Sequence, residues 1–550
     1  MRSQAHHTHQ VGRTNASASE REVGRWARRM GSAALTMAVL GACTVGPNYR
    51  VPDTALIKQP VANRTLVETE HDIHASGSVA RAANADPVPD QWWKLYDDPV
   101  LNGLIEEALR RNVDLRVATA NLARAGAVLD VAQAQGGFGG NLELSAKRAQ
   151  ESAQQFLLTD KLPVTNESNF GLSVSYQFDL FGVLKRGVEA ASANFDAVRA
   201  AGDTARITVV SQVVQAYLAS CDAAEQEDIA LKSLDLQDQS TQLARRLRDA
   251  GRGAQPNVTQ SVTQQETLRA QLPKLAAQRR IAHYTLAALL GESPDALPKA
   301  IDACHETPRI LTPLPVGDGA ALLRRRPDVR RAERELAAAT AKIGVAIGGL
   351  YPNISFGASA GVTGILEDSF RSPTQRWGFG PLISWELPAN GARARIREAR
   401  AGADVALAEF DKVVLNALRE TQTRLATYAG DLGRLQALED ALASARQSRD
   451  QTHRFYLAGR GSFLSDLDAT RTLTSVESQV AAARGKVAQD QVAVFLALGG
   501  GWQANQGMPL AGQEVQTPPT SQTAPTKGAA TAGVTATPVS AISSAIATAP

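Results

Sequence analysis

Four segments of the chain alternate between apolar and small polar residues. In the clearest one, residues 170–178, Phe, Leu, Val, Tyr and Phe alternate with Gly, Ser, Ser and Gln. Alternation with period two predicts β-strands, and small polar residues opposite apolar ones are typical of strands between lipid and water. The pattern places strands at about 141–149, 169–179, 352–362 and 376–387. Each is long enough to cross a bilayer at a tilt.

Four strands cannot close a membrane barrel alone, because lipid does not tolerate the unpaired backbone groups at a sheet edge. Two arrangements satisfy the pattern. The sheet is half-buried on a soluble body, or several chains complete one barrel.

Long helical tracts follow the strands. No proline occurs between Gly182 and Gly251 or between Pro388 and Pro509, and a helix from 182 to 251 would reach about 100 Å. Apolar residues at three- and four-residue spacing predict coiled-coil seams. The predicted seams are Val188, Ala191, Phe195 and Val198; Leu407, Phe410, Val414 and Ala417; and Leu473, Val480, Val487 and Val494.

These strands and helices occur twice in the same order. The glycine-containing stretches 250–253 and 458–461 lie 208 residues apart (458 minus 250) and interrupt equivalent helical tracts. One duplicated unit explains this order, so we predict two internal repeats, at 91–300 and 301–503.

The first 42 residues have the pattern of a signal peptide. Six Arg are followed by an apolar run, Gly31 to Leu40, that is shorter than the roughly 20 residues of a membrane-spanning helix. Leu-Gly-Ala-Cys at 40–43 resembles the bacterial lipobox. This implies that Cys43 becomes the amino terminus and carries a diacylglycerol and an N-acyl lipid. The alternative is an ordinary signal with a chance cysteine.

The two ends of the mature chain differ in composition from its body. Residues 43–90 are polar and contain several prolines, which predicts an extended, lipidated spacer. Residues 504–550 are rich in Thr, Ala and Pro and contain no aromatic residue, which predicts a disordered tail.

Charge argues against a nucleic-acid partner. The net charge is +3, but residues 1–42 hold six Arg and two acids. Removing them leaves 52 basic residues (58 minus 6) and 53 acidic residues (55 minus 2). The mature chain therefore lacks the positive surplus that binds phosphate backbones.

The sequence contains no constellation typical of an enzyme or a metal site. There is no HExxH, phosphate loop or nucleophile elbow, and the cysteines form no CxxC pair or zinc-like cluster. We expect no enzyme and no cofactor beyond the lipid on Cys43. A disulfide between Cys221 and Cys304 is compatible with the sequence, but free, partly buried thiols are our prediction.

The chain resembles the outer-membrane factors of tripartite efflux pumps, the TolC-like and NodT-type lipoproteins. Family-like stretches occur in order at Trp92–Tyr96, at Tyr351–Ile354 and at Ala497–Trp502. The resemblance implies a mainly α protein with membrane β-structure: a homotrimer whose twelve strands, four per chain, form a β-barrel continuous with a long α-helical coiled-coil periplasmic barrel. Such a channel would pass drugs or other small molecules out of a Gram-negative cell.

The resemblance also implies partners. A periplasmic adaptor and an inner-membrane transporter of the RND, MFS or ABC type would deliver cargo to a channel lipid-anchored in the outer membrane. The alternative function is a periplasmic adaptor or a structural coiled-coil lipoprotein. An adaptor would show one helical hairpin flanked by compact β domains, without two copies of paired alternating strands.

The resemblance further implies an iris-like gate at the periplasmic mouth. Leu464 and Asp468 match the family positions whose side chains close the channel, and they lie four residues apart on one helix face. Asp466 is an additional acid that either joins the acidic ring or faces water. The alternative for all three residues is a solvated helix start.

The glycine turns beside this segment are expected to form the tips that adaptors contact. Gly251 and Gly253, like Gly459 and Gly461, are expected to supply backbone conformations with positive φ.

Overall fold

The structure, a computed structural model, describes residues 44–63, 66 and 82–500. The predicted signal peptide (1–42), Cys43, part of the predicted 43–90 spacer, Trp502 and the predicted tail (504–550) lie outside these residues. The helices are α1 (Pro99–Arg111), α2 (Val113–Ala134), α3 (Val183–Asp249), α4 (Gln255–Arg269), α5 (Leu272–Leu290), α6 (Gly319–Arg325), α7 (Pro327–Gly348), α8 (Asn390–Leu457) and α9 (Phe463–Ala497). The strands are β1 (Ala83–Asn84), β2 (Phe138–Ala149), β3 (Thr165–Phe178), β4 (Leu314–Pro315), β5 (Asn353–Ile365) and β6 (Gln375–Ser384).

The four long strands form one antiparallel sheet in the order β2-β3-β5-β6, and each overlaps a segment predicted from the alternation. The register aligns apolar residues across the whole sheet, as in the row Leu142, Leu172, Ala360 and Trp377. The adjacent row on the opposite face is Asn141, Ser173, Ser359 and Gly378. One face is therefore apolar and exposed, and the outer edges of β2 and β6 have no strand partner among the described residues.

The helices continue the same order. α2 packs against α3, α3 against α7, and α7 against α8, so α3 and α7 join the segments predicted as the two repeats. α3 is 67 residues long and α8 is 68, lengths of about 100 Å each. Within the part of the chain that the structure describes, no helix combines the length and apolarity needed to cross a bilayer.

The start and the end of the helical body pack together. Trp92 is fully buried and stacks on Phe495 near the end of α9, with ring centroids 4.8 Å apart. The Asp98 side chain caps α1 by accepting from the Val100 and Leu101 amides, and it also accepts from the Tyr217 hydroxyl on α3. Asn112 caps α2 in the same way. These contacts anchor the short N-terminal helices to the long ones.

The segment that follows Cys43 is docked across the helices. Thr44 packs directly on Gly182. A Cβ added at Gly182 would lie only 2.3 Å from Cγ2 of Thr44. The buried Arg186 guanidinium donates to the Val45 and Gly46 carbonyls and to Asn48. Farther along, the Tyr49 hydroxyl donates to Glu333 on α7, and the Leu56 amide donates to Asp411 on α8. The spacer therefore begins as a strap over α3, α7 and α8. We call residues 44–58 the N-terminal strap.

The prediction of free thiols is wrong. Cys221 on α3 and Cys304 form a disulfide, with their Cα atoms 5.1 Å apart. The connector after α5 folds back onto α3, where the Glu225 carboxylate accepts from the Thr307 amide and hydroxyl. This return of the chain brings together two cysteines that are 83 residues apart in sequence.

Candidate gate at the helical hairpin tips

Two helical hairpins, α3–α4 and α8–α9, end in tips that share one turn motif. In the first tip, the Gly251 amide donates to the Arg248 carbonyl and the Arg252 amide donates to the Leu247 carbonyl. In the second, Gly459 donates to Tyr456 and Arg460 donates to Phe455. This bond pair is the Schellman motif, which ends a helix with a left-handed residue. Gly251 and Gly459 have φ values of 70° and 71°, as the motif requires.

The other two tip glycines have a different role from the one predicted. Gly253 and Gly461 are not among the residues with positive φ. A Cβ at Gly253 would lie 2.9 Å from the Arg248 backbone nitrogen, and one at Gly461 would lie 3.1 Å from the Tyr456 nitrogen. These positions need glycine because the chain passes close to the helix end it has just left.

The second tip exposes two of the three residues predicted for the gate. α9 starts at Phe463 behind Ser462, whose hydroxyl accepts from the Ser465 amide. Leu464 is 56% exposed, and Asp468, one turn later, is also exposed. Leu467 between them is buried in the hairpin. An apolar and an acidic side chain therefore project from the same face of α9.

Asp466 neither faces water nor projects beside Asp468. It is only 6% exposed, and its Oδ1 lies 3.1 Å from Nδ1 of His453 on α8. The imidazole N–H can donate to the carboxylate, which gives the buried acid a partner within its own hairpin. Burial, followed by the negative charge of Asp466, raises the pKa of the neighbouring Tyr456. Asp466 is therefore part of the hairpin interior.

The first tip carries no equivalent acid. Val258 corresponds to Asp466 through the 208-residue offset (466 minus 258) and is buried, 5% exposed. Gln260 corresponds in the same way to Asp468. The two tips thus share a backbone but differ in charge.

A contact between the hairpins was missed at the sequence level. Arg471 Nε, on α9, donates to Gln264 Oε1, on α4, at 3.2 Å. Arg471 follows Asp468 by less than one helical turn, so this bond joins the helix that carries the exposed acid to the first hairpin. Its partner lies 207 residues away, so no local spacing in the sequence indicates this contact.

Within the described residues, no cluster of His, Cys, Asp and Glu is arranged to hold a metal ion. Cys43, the predicted lipidation site, lies outside the described residues. The described residues combine a four-stranded sheet that has an exposed apolar face with two long helical hairpins. The tip of the second hairpin exposes the acidic side chain of Asp468.

Comparison with known proteins defines the class. The chain is 28% identical over 505 residues to the probable efflux pump outer membrane protein TtgC of Pseudomonas putida, covering 88% of this chain and 98% of that protein. It is 29% identical over 469 residues to nodulation protein T of Rhizobium leguminosarum bv. trifolii, covering 84% and 96%. Among solved structures, the outer-membrane channel OprN matches with a TM-score of 0.75 and 34% identity, covering 84% of this chain and all of that one. The protein is an outer-membrane channel.

The sequence profile of the family described as outer membrane efflux protein matches residues 104–292 and 320–500. The chain belongs to the outer membrane efflux protein family. It is the outer-membrane channel of a tripartite efflux system in a Gram-negative bacterium, and it is a transport protein, not an enzyme.

Proposed function

We propose that three copies of the chain form one continuous duct, with a twelve-stranded barrel in the outer membrane and a helical barrel below it. The observation that carries this proposal is the pair of unpartnered edges on β2 and β6. Lipid does not tolerate open edges, and pairing β6 of one copy with β2 of the next satisfies both. α8 and α2 stand at the matching ends of the helix order, so the same operation closes the helical layer.

Disulfide cross-linking tests this closure. Each double variant combines Leu144→Cys on β2 with one substitution on β6. The β6 substitutions are Trp377→Cys, Phe379→Cys and Ile383→Cys. We expect at least one pair to give a covalent trimer on denaturing gels. The control pair, Leu172→Cys with Ala360→Cys, joins neighbours within one sheet and should give a monomer. Failure of every β2–β6 pair to link chains, while the control pair forms, would contradict the barrel.

The gate in this proposal consists of Leu464 and Asp468. Three copies of each would form an apolar ring beside an acidic ring at the periplasmic end, where the first hinders water and the second favours cations. Their joint exposure on α9 supports this assignment. Asp466 has no place in the acidic ring because it is buried against His453.

The hairpin tips in this proposal are the contact points for a periplasmic adaptor, and through it for an RND-, MFS- or ABC-type transporter. The exposed Schellman turns at Gly251 and Gly459 support this, since a Cβ added at either glycine would contact nothing within 4 Å. Cargo is drugs or other small molecules. The probable efflux pump protein TtgC and the toluene efflux pump protein TtgF are relatives that support this class.

The lipid on Cys43 is a secondary anchor in this proposal. The N-terminal strap begins at Thr44 against Gly182, next to the end of β3 at Phe178. Acyl chains on the preceding residue could enter the leaflet beside the barrel. Cys43→Ser, if exported, should lower assembly without releasing the protein from the membrane. Complete release into the periplasm would contradict the barrel as the main anchor.

A further inference from the structure

The first three turns of α8 carry an exposed row of arginines. Arg393, Arg397 and Arg400 are spaced by four and three residues, so they lie on one face of the helix, and each is exposed. None of the three forms an ion pair with a described residue. Arg395 lies on another face and pairs with Glu386. Asp404, one turn beyond Arg400 on the same face, ends this row of three arginines.

This row lies on the face of α8 that the N-terminal strap contacts. The Leu56 amide donates to Asp411 Oδ1 at 2.8 Å. Asp411 follows Arg400 by eleven residues, or about three helical turns, so the two side chains point to the same side. The strap begins at Thr44, the residue after Cys43, so this is the side of the helices on which the lipid proposed for Cys43 would be attached.

The strap also sets the level of the row relative to the membrane. Thr44 packs on Gly182, one residue before α3, and α8 starts just after β6, at the same junction between sheet and helices. At about 1.5 Å per residue, the arginines lie within about 5 to 15 Å of the start of α8. Bilayer headgroups occupy about 5 to 8 Å on each side, and their field extends roughly another 8 Å at physiological salt.

At the start of α3, the arginine at the same level is buried and does not face solvent. Arg186, in the first turn of α3, is 3% exposed and holds the strap through Val45, Gly46 and Asn48. The start of α3 is therefore covered by the chain itself. Among the described residues, nothing equivalent covers the row on α8.

We propose that Arg393, Arg397 and Arg400 bind the phosphate groups of anionic phospholipids in the periplasmic leaflet of the outer membrane. Guanidinium groups bind phosphate oxygens in pairs, and basic side chains beside a membrane favour anionic lipid by about fivefold each. The site goes beyond export and rests on the placement of the β2–β6 sheet in the membrane. Lipid binding at these three arginines would fix the position and orientation of the long helices relative to the periplasmic leaflet.

Native mass spectrometry of the purified assembly tests the proposal, with phosphatidylglycerol and phosphatidylcholine as competing probes. The wild type should prefer phosphatidylglycerol by at least about tenfold, and changing all three arginines to Gln should abolish that preference. Changing them to Lys should retain most of it. The matched control replaces Arg419, Arg424 and Arg434, which are exposed farther along the same helix, with Gln and should behave as the wild type.

Two outcomes would overturn the proposal. The Gln variant could keep the wild-type lipid preference. Alternatively, the Gln variant could lose the assembled state while each single Arg→Gln variant assembles and binds lipid normally, which would identify the row as a contact with a second copy of the chain. Conductance in planar bilayers, measured on the same samples, tests the channel separately, because removing the row should leave it unchanged.

Discussion

Nδ1 of His453 lies 3.1 Å from Oδ1 of Asp466, and this pair joins the two helices of the second hairpin just behind the proposed gate. The equivalent of Asp466 in the first hairpin is the buried Val258. One tip is therefore closed by a polar pair and the other by apolar packing, although their turns are the same.

His453→Ala should loosen the second tip. The change leaves the buried Asp466 without its partner, at a cost of about 1 to 3 kcal/mol. Hydrogen exchange of the amides near residues 453–466 should therefore accelerate by about 5- to 150-fold. The double variant His453→Ala with Asp466→Val should restore much of the protection. Unchanged exchange in the single variant would show that the pair contributes nothing to the tip.

Asp222 should make the stability of the protein depend on pH. Burial raises the pKa of Asp222 to about 6, and its Oδ1 accepts from Gln226. A raised pKa means that the folded state binds the proton more tightly. Its stabilising effect is full below about pH 3.8 and is lost as the pH rises through about 6.

We expect the wild type to melt at a higher temperature at pH 5 than at pH 7, with Asp222 contributing up to about 2 kcal/mol. Asp222→Asn should remove most of that difference. Asp235→Asn is the control, because Asp235 is exposed on the same helix and has the same kind of bond from Gln239. A pH dependence that survives in Asp222→Asn would assign it to other groups.

The disulfide should protect the return of the connector onto α3. Thiol-reactive reagents should label neither cysteine before reduction. After reduction they should label the half-buried Cys304 first, and Cys221, which is fully buried, only on unfolding. Cys304→Ser should lower stability by up to about 4.5 kcal/mol, the chain-entropy value for an 83-residue separation. Labelling without reduction would show that the bridge does not form in the cell envelope.

Gly459→Ala should destabilise the second tip because alanine resists the left-handed backbone at φ 71°. The cost should be about 1 kcal/mol, visible as faster hydrogen exchange around residues 455–461. Gly402→Ala is the control, since Gly402 lies inside α8 with ordinary φ and no neighbour within 4 Å of an added Cβ. It should be neutral or stabilising. Equal effects at both positions would argue against a specific role of the turn.

The strands could be predicted because their signal is local. Alternation along residues 170–178 is visible without knowledge of any partner, and the register of β3 with β5 then aligns rows that were already alternating. The same holds for the glycine turns, where the two tips repeat one motif. Distant contacts left no such signal. Neither the disulfide nor the bond between Arg471 and Gln264 could be read from spacing.

The coiled-coil seam predicted for α3 shows a second limit of prediction from sequence. The sequence predicts Val188, Ala191, Phe195 and Val198, but these side chains are only partly buried. The buried stripe contains Arg186, Ala190, Ala193, Ala197 and Ala200. Small residues allow α3 to approach α7 closely, where Ala193 packs with Ala337 and Ala338. Phe195 instead faces Gly126 on α2. Large apolar residues identified the helix correctly but not the face that packs most closely.

Conductance in planar bilayers tests the central claim most directly. The wild-type assembly should be nearly closed, and Asp468→Ala or Leu464→Ala should open more often, with Asp468→Ala also reducing preference for cations. Asp440→Ala, which removes an exposed acid elsewhere on α8, should behave as the wild type. If Asp468→Ala and Leu464→Ala leave both conductance and selectivity at wild-type values, these residues do not gate the channel. Absence of conductance in the wild type and in every variant would contradict the proposed export duct.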